Sequence, residues 1–157
     1  GGLGSLMFET LREKMGLAYY CNSSNIYYKD AGVLKMSAGV AIGKLEEALS
    51  ALIGELKGII RVGIKPKQLE RAKEYIKGGL YMGLETTEGL NEYYAFDLLL
   101  KGKLEEPREY ARKIDAVTNE DIVEFLKEKF VPGNISLAVV GDYKNTKRLE
   151  EIIYGGN

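Results

Sequence analysis

The sequence predicts an α+β fold, an antiparallel sheet with helices packed on one face. Two observations predict it. The β-rich runs sit apart from the helical ones: Leu17–Tyr28 and Gly32–Ala41 come early, Ile135–Val140 comes late, and about five helical blocks fill the space between. The two early runs are also separated only by Lys29, Asp30 and Ala31, and Asp30-Ala31-Gly32 is a turn signal that favours an antiparallel hairpin.

Each element has its own reason. Ser5 to Lys14 reads as a short helix with the apolar stripe Leu6, Met7, Phe8 and Leu11, stopped at Gly16. In the second strand Val33, Lys35, Ser37 and Gly39 alternate with Leu34, Met36, Ala38 and Val40. Leu45, Ala48, Leu49, Leu52, Ile53, Leu56, Ile59 and Ile60 recur at helical steps and end at Gly63. Pro66 suits the first turn of the next helix, whose buried stripe is Leu69, Ala72, Ile76, Leu80 and Gly83. Gly78, Gly79 and Gly83 each cost roughly 1 kcal/mol there relative to alanine, and close packing against a neighbour is the expected compensation. Further helices are expected over Glu88–Lys101, with Leu90, Tyr94 and Leu98 inward, and over Pro107–Ile114. Another begins after the N-cap Thr118, burying Ile122, Phe125, Leu126 and Phe130, and a last one covers Thr146–Ile153.

Length and composition set limits on chemistry. The 157 residues suit a single domain, 1–157, and 22 basic against 23 acidic side chains leave a net charge of −1. That balance argues against nucleic acid as a partner, and no apolar run is long enough to span a bilayer. There is no histidine, so neither HExxH nor HxxEH can occur, and no metal or other cofactor is expected on this chain. No catalytic residue is expected either: Ser–His and Cys–His pairs are impossible, and no phosphate-binding loop has the required spacing. Cys21 stands alone, which allows no intrachain disulfide and suits a reducing compartment such as the cytoplasm.

One stretch is unlike generic core. Leu11-Arg12-Glu13-Lys14-Met15-Gly16-Leu17-Ala18-Tyr19 takes a charged helix end through glycine into a strand carrying tyrosine. It resembles the signature of the second, non-zinc half-domain of the pitrilysin/insulinase metallopeptidases, a family that includes processing peptidases and their bacterial homologues. Further pieces of that pattern follow in order: Gly1-Gly2-Leu3-Gly4-Ser5-Leu6-Met7-Phe8 before it, then Asp30-Ala31-Gly32, Leu45-Glu46-Glu47-Ala48-Leu49, Leu69-Glu70-Arg71-Ala72-Lys73, Leu84-Glu85-Thr86-Thr87, Ile114-Asp115-Ala116-Val117-Thr118 and Leu137-Ala138-Val139-Val140-Gly141. Leu6 departs from it, standing where many relatives have arginine.

The resemblance implies an incomplete half-domain of the αβ-roll type, with its first strands expected before Gly1. It implies that Arg12 and Tyr19, seven positions apart, bind substrate by donating hydrogen bonds to a peptide carbonyl or to the oxyanion of the tetrahedral intermediate. Zinc is then expected on an N-terminal half-domain or a homologous catalytic subunit, with this chain walling a chamber for the peptide. The alternative is a non-catalytic peptide-binding or assembly subunit of a processing-protease-like complex. Missing strands would leave a sheet edge open, through which copies of the chain could associate.

Overall fold

The computed structural model describes residues Leu3–Gly155; Gly1 and Gly2, the first two glycines of the expected glycine-rich entry, lie outside the described residues. A single α-turn, α1 (Leu3–Met7), runs directly into a π-helix (Phe8–Lys14). The hairpin follows as β1 (Ala18–Tyr27) and β2 (Gly32–Val40), then a 3₁₀ turn (Ile42–Lys44) and α2 (Leu45–Val62). The rest is helical: α3 (Pro66–Gly83), α4 (Thr87–Lys101), α5 (Pro107–Ala116), α6 (Asn119–Lys129) and α7 (Thr146–Tyr154).

The expected α+β architecture is present, with element boundaries within one or two residues at most helices. Among the described residues the sheet has two strands, β1 and β2. Tyr28 N–H bonds the Ala31 carbonyl at 2.8 Å, closing the hairpin. The same register sets Tyr20 across from Gly39, where the ring fills the space a Cβ would need.

The expected third strand, Ile135–Val140, does not form: the segment carries no strand pairing and Val140 is fully exposed. A β-rich run becomes a strand only beside a partner that takes its N–H and C=O groups, and none lies next to it among the described residues. Ile135 is instead fixed by packing and by its carbonyl, which accepts the Tyr154 hydroxyl at 2.9 Å.

The contacts divide the chain into two compact units. One comprises Leu3–Ser23, Met36–Ile64 and the residues from Asn119 onward. It holds nearly all the apolar core, in three clusters along α2. Met7, Leu11, Leu17, Ala18 and Ala48 form the first, against Cys21, Met36 and Val40 of the hairpin. Leu49 and Ile53 meet Leu149 and Ile153 of α7 in the second; Leu56, Ile59 and Leu126 form the third. Successive stretches of the one apolar face of α2 thus organise the unit, as its helical period requires.

The other unit comprises Ser24–Lys35 and Lys65–Thr118. There α3 lies against α5, tied by Lys73 Nζ to the Asp115 carbonyl at 2.9 Å and by Lys77 to the Asp115 carboxylate at 2.7 Å. Its buried side chains are unlike a usual core: Ala111, Asp97 and Glu105. Lys101 spans Asp97 at 2.7 Å and Glu105 at 3.2 Å, and the Asp97 carboxylate accepts the Glu105 N–H at 3.0 Å. Several side chains expected inward are exposed, among them Ile76, Leu90, Leu98 and, in the first unit, Phe125. Helical period names a stripe, but only a neighbour across it buries the stripe. The glycines of α3 also lack the expected neighbour, since a Cβ at Gly78, Gly79 or Gly83 would meet nothing within 4 Å.

Candidate functional site

Arg12 lies in the π-helix, whose i→i+5 pattern shows in the Met15 N–H to Thr10 carbonyl bond of 3.1 Å. The 2.8 Å ion pair of Glu9 with Lys14 has the same five-residue spacing. The helix ends at Gly16, whose φ of +60° suits glycine. Gly16 N–H bonds the Arg12 carbonyl at 3.2 Å and Leu17 N–H bonds the Leu11 carbonyl at 2.7 Å. Both bonds reach one residue further back than in an α-helical glycine termination, as a π-helix demands. The wider turn still needs glycine, which is why the sequence placed the break correctly without revealing the kind of helix.

The turn delivers the chain into β1 with Leu17 and Ala18 buried and Tyr19 75% exposed. Strand period places Tyr19 on the same face as Cys21 and Ser23. That face receives the helical layer: Cys21 packs against the Met7–Leu11 cluster, and the absent side chain of Gly4 lets α1 approach Ser23. The Arg12 charge is near enough to be felt by the half-buried Cys21 thiol, two residues along β1 from Tyr19. Burial pushes the Cys21 thiol up and the Arg12 charge draws it partly back.

Arg12 has no carboxylate partner among the described residues. Its guanidinium carbon lies 5.0 Å from the centre of the Phe8 ring, a cation–π contact that holds the planar group without consuming its hydrogen-bond donors. The Tyr19 hydroxyl makes no hydrogen bond among the described residues. The arrangement offers two free donor groups to an outside acceptor. Sequence reasoning missed Phe8 as the support of Arg12, although an aromatic four residues before an arginine is a signal for it.

A zinc site does not fit these residues. The chain has no histidine, and among the described residues no three Cys, Asp or Glu side chains converge as a metal site needs.

Residues 1–76 match the family model described as "Peptidase M16 inactive domain". Over these residues the chain matches the C-terminal, inactive-type domain of the M16, or pitrilysin, peptidases. Along its length it is similar to the mitochondrial-processing peptidase subunit alpha of Caenorhabditis elegans, at 30% identity over 96% of this chain and 29% of the relative. It is 33% identical to an uncharacterized zinc protease of Rickettsia bellii, over 90% of this chain and 34% of that one. The M16 domain described here therefore spans about a third of the length of these relatives. Its fold matches a chain in the structure titled "Complex III2 from Candida albicans, Inz-5 bound", with a TM-score of 0.67, 22% identity, and coverage of 81% of this chain and 29% of that one. No helix of the described residues is long and apolar enough to cross a membrane.

Proposed function

We propose that this M16 domain forms part of the substrate chamber of a zinc-dependent endopeptidase, with zinc held by a separate HxxEH-bearing half-domain or subunit. The observation that carries the proposal is the pair Arg12 and Tyr19, both without a hydrogen-bond or ion-pair partner among the described residues, on either side of Gly16 where the π-helix enters β1. Arg12 is held flat by Phe8 and the Tyr19 backbone is fixed in a strand, which limits the freedom lost on gripping a peptide. Their role is to donate hydrogen bonds to a peptide carbonyl and, as the tetrahedral intermediate forms, to its oxyanion. A proton acceptor that could activate water is not part of this pair.

Reconstitution with an HxxEH-bearing half tests the proposal. The expected result is hydrolysis of a quenched fluorescent peptide only by the combination, never by this chain with zinc alone. Tyr19→Phe should lower turnover by up to about 10²–10³, the usual cost of one oxyanion donor, with bound zinc unchanged. Arg12→Lys keeps the charge but loses the planar fork and should impair turnover too. Full activity of Tyr19→Phe would refute the assignment.

A second reading is favoured by the description of the matched domain as inactive and by a relative that is by name a subunit. In it the domain serves assembly of a processing-protease-like complex, and the reconstituted pair binds peptide without cleaving it.

A further inference from the structure

The α3–α5 pair of the second unit borders an open cleft of about 490 Å³, whose lining includes neither Arg12 nor Tyr19. Glu74, Lys77, Gly78 and Tyr81 line it from α3; Arg108, Arg112 and Asp115 line it from α5. These charges are not equivalent. Lys77 lies 2.8 Å from Glu74 and 2.7 Å from Asp115, so its one charge is shared between two carboxylates, which in turn hold its proton more firmly than usual. Arg108 and Arg112, one turn apart on α5, have no ion pair or hydrogen bond among the described residues. The lining thus sets three cations against two carboxylates, and both guanidinium groups keep their donors free, which makes it a place for an anion in a chain whose net charge is −1.

The helix α3 side of the lining supports the same conclusion. Gly78 is a poor choice inside a helix, and no neighbour requires it, because a Cβ there would meet nothing within 4 Å. Its hydrogen instead of a side chain leaves the cleft open beside Tyr81, whose half-exposed ring offers an apolar flank. Carboxylates are flat and match the guanidinium fork with two parallel hydrogen bonds. A continuous polyphosphate would have to lie along Glu74 and Asp115 as well, whereas a peptide can place its acids at the arginines and its neutral backbone past the others.

We propose that the α3–α5 cleft binds an extended peptide segment bearing carboxylates, with Arg108 and Arg112 gripping the acids and Gly78 leaving room for the chain. The probe is a fluorescein-labelled hexaglutamate peptide titrated with the full chain at low salt and read by anisotropy, with hexaglutamine as the neutral comparator. The glutamate peptide should bind and the glutamine peptide should not. Arg108→Gln with Arg112→Gln should weaken binding about tenfold or more, as expected for lost charge-assisted hydrogen bonds. Lys127→Gln with Lys147→Gln removes the same charge from exposed positions of the other unit and should leave it nearly unchanged. Gly78→Leu retains every charge, suits a helix and puts a side chain into the cleft, so it should also weaken binding; it keeps the test decisive if the arginine variant loses its helical circular dichroism. Equal loss in the two charge variants would overturn the proposal by reducing it to net charge. So would absent binding, an unaffected Gly78→Leu protein, or inorganic phosphate that displaces the peptide at comparable concentration.

Discussion

Replacing Gly63 with alanine should be among the most damaging single-methyl additions to this domain. Gly63 follows α2 with φ +76° and ψ −166°, a combination essentially reserved for glycine. Holding alanine there costs about 1–3 kcal/mol. The new methyl would also clash with the Asn119 side-chain amide. Asn119 has to move, and its Oδ1 then releases the Ile64 N–H that it accepts at 2.7 Å. A half-buried donor left unpaired adds about 1–3 kcal/mol. Alanine stiffens the unfolded chain, which returns about 0.4–1 kcal/mol. The net expectation is a loss of about 1–5 kcal/mol. Urea unfolding followed by circular dichroism reads this directly: with a slope of about 1–3 kcal/mol per molar, the midpoint should drop by about 0.3 M or more. Asn119→Ala gives an internal check, since it removes the same hydrogen bond without the backbone strain. The two changes together should cost about 1 kcal/mol less than their sum, because the bond can be lost only once. A Gly63→Ala protein within about 0.5 kcal/mol of the parent, or strictly additive costs, would refute the reasoning.

Leu56, 1% exposed between Ile59 and Leu126, should cost about 2–5 kcal/mol as Leu56→Ala by the same measurement, and a value below 1 would mean that the third core cluster is not packed as described. The Tyr93 hydroxyl is buried without a partner among the described residues, so Tyr93→Phe should be neutral or stabilising by up to about 1 kcal/mol; a clear loss would reveal a partner. The Glu105 carboxyl is held below its ordinary value by Lys113 and Lys101. Its folded pKa being the lower one, its contribution is full above the unfolded pKa near 4.5 and disappears as pH falls through and below that value. Acid unfolding of Glu105→Gln should therefore show a shallower loss of stability below about pH 4.5 than the parent, and identical slopes would contradict it. Cys21, its thiol pushed up chiefly by burial, should react with iodoacetamide at pH 7.5 more slowly than free cysteine, and equal rates would show that the Arg12 charge dominates instead.

How much was legible in the sequence depends on how local the cause is. Gly16, Gly63 and Gly102 stop their helices where expected because a positive φ is a property of one residue. The boundaries of α2 and α3 follow from a periodic stripe, Gly63 and Pro66. The absence of histidine excludes an HxxEH or HExxH zinc motif from this chain. The spacing of Arg12 and Tyr19 around Gly16 is equally visible in the string, and so was the resemblance to the M16 domain.

What the string left open are properties that belong to pairs of distant segments. Ile135–Val140 has strand composition and no strand, since pairing is a relation between two stretches of backbone. The segment Phe8–Lys14 is π-helical, a choice between i→i+4 and i→i+5 bonding that no residue in it announces. Nothing in α3 says that Gly78 will face open space, or in α5 that Arg108 and Arg112 will stay unpaired while Lys77 takes both acids. By itself the sequence determined which residues can turn, which faces are apolar and which chemistry is impossible. Only the tertiary structure decided which of those faces are covered and which charges are answered, because burial and pairing are set by what arrives from elsewhere in the chain.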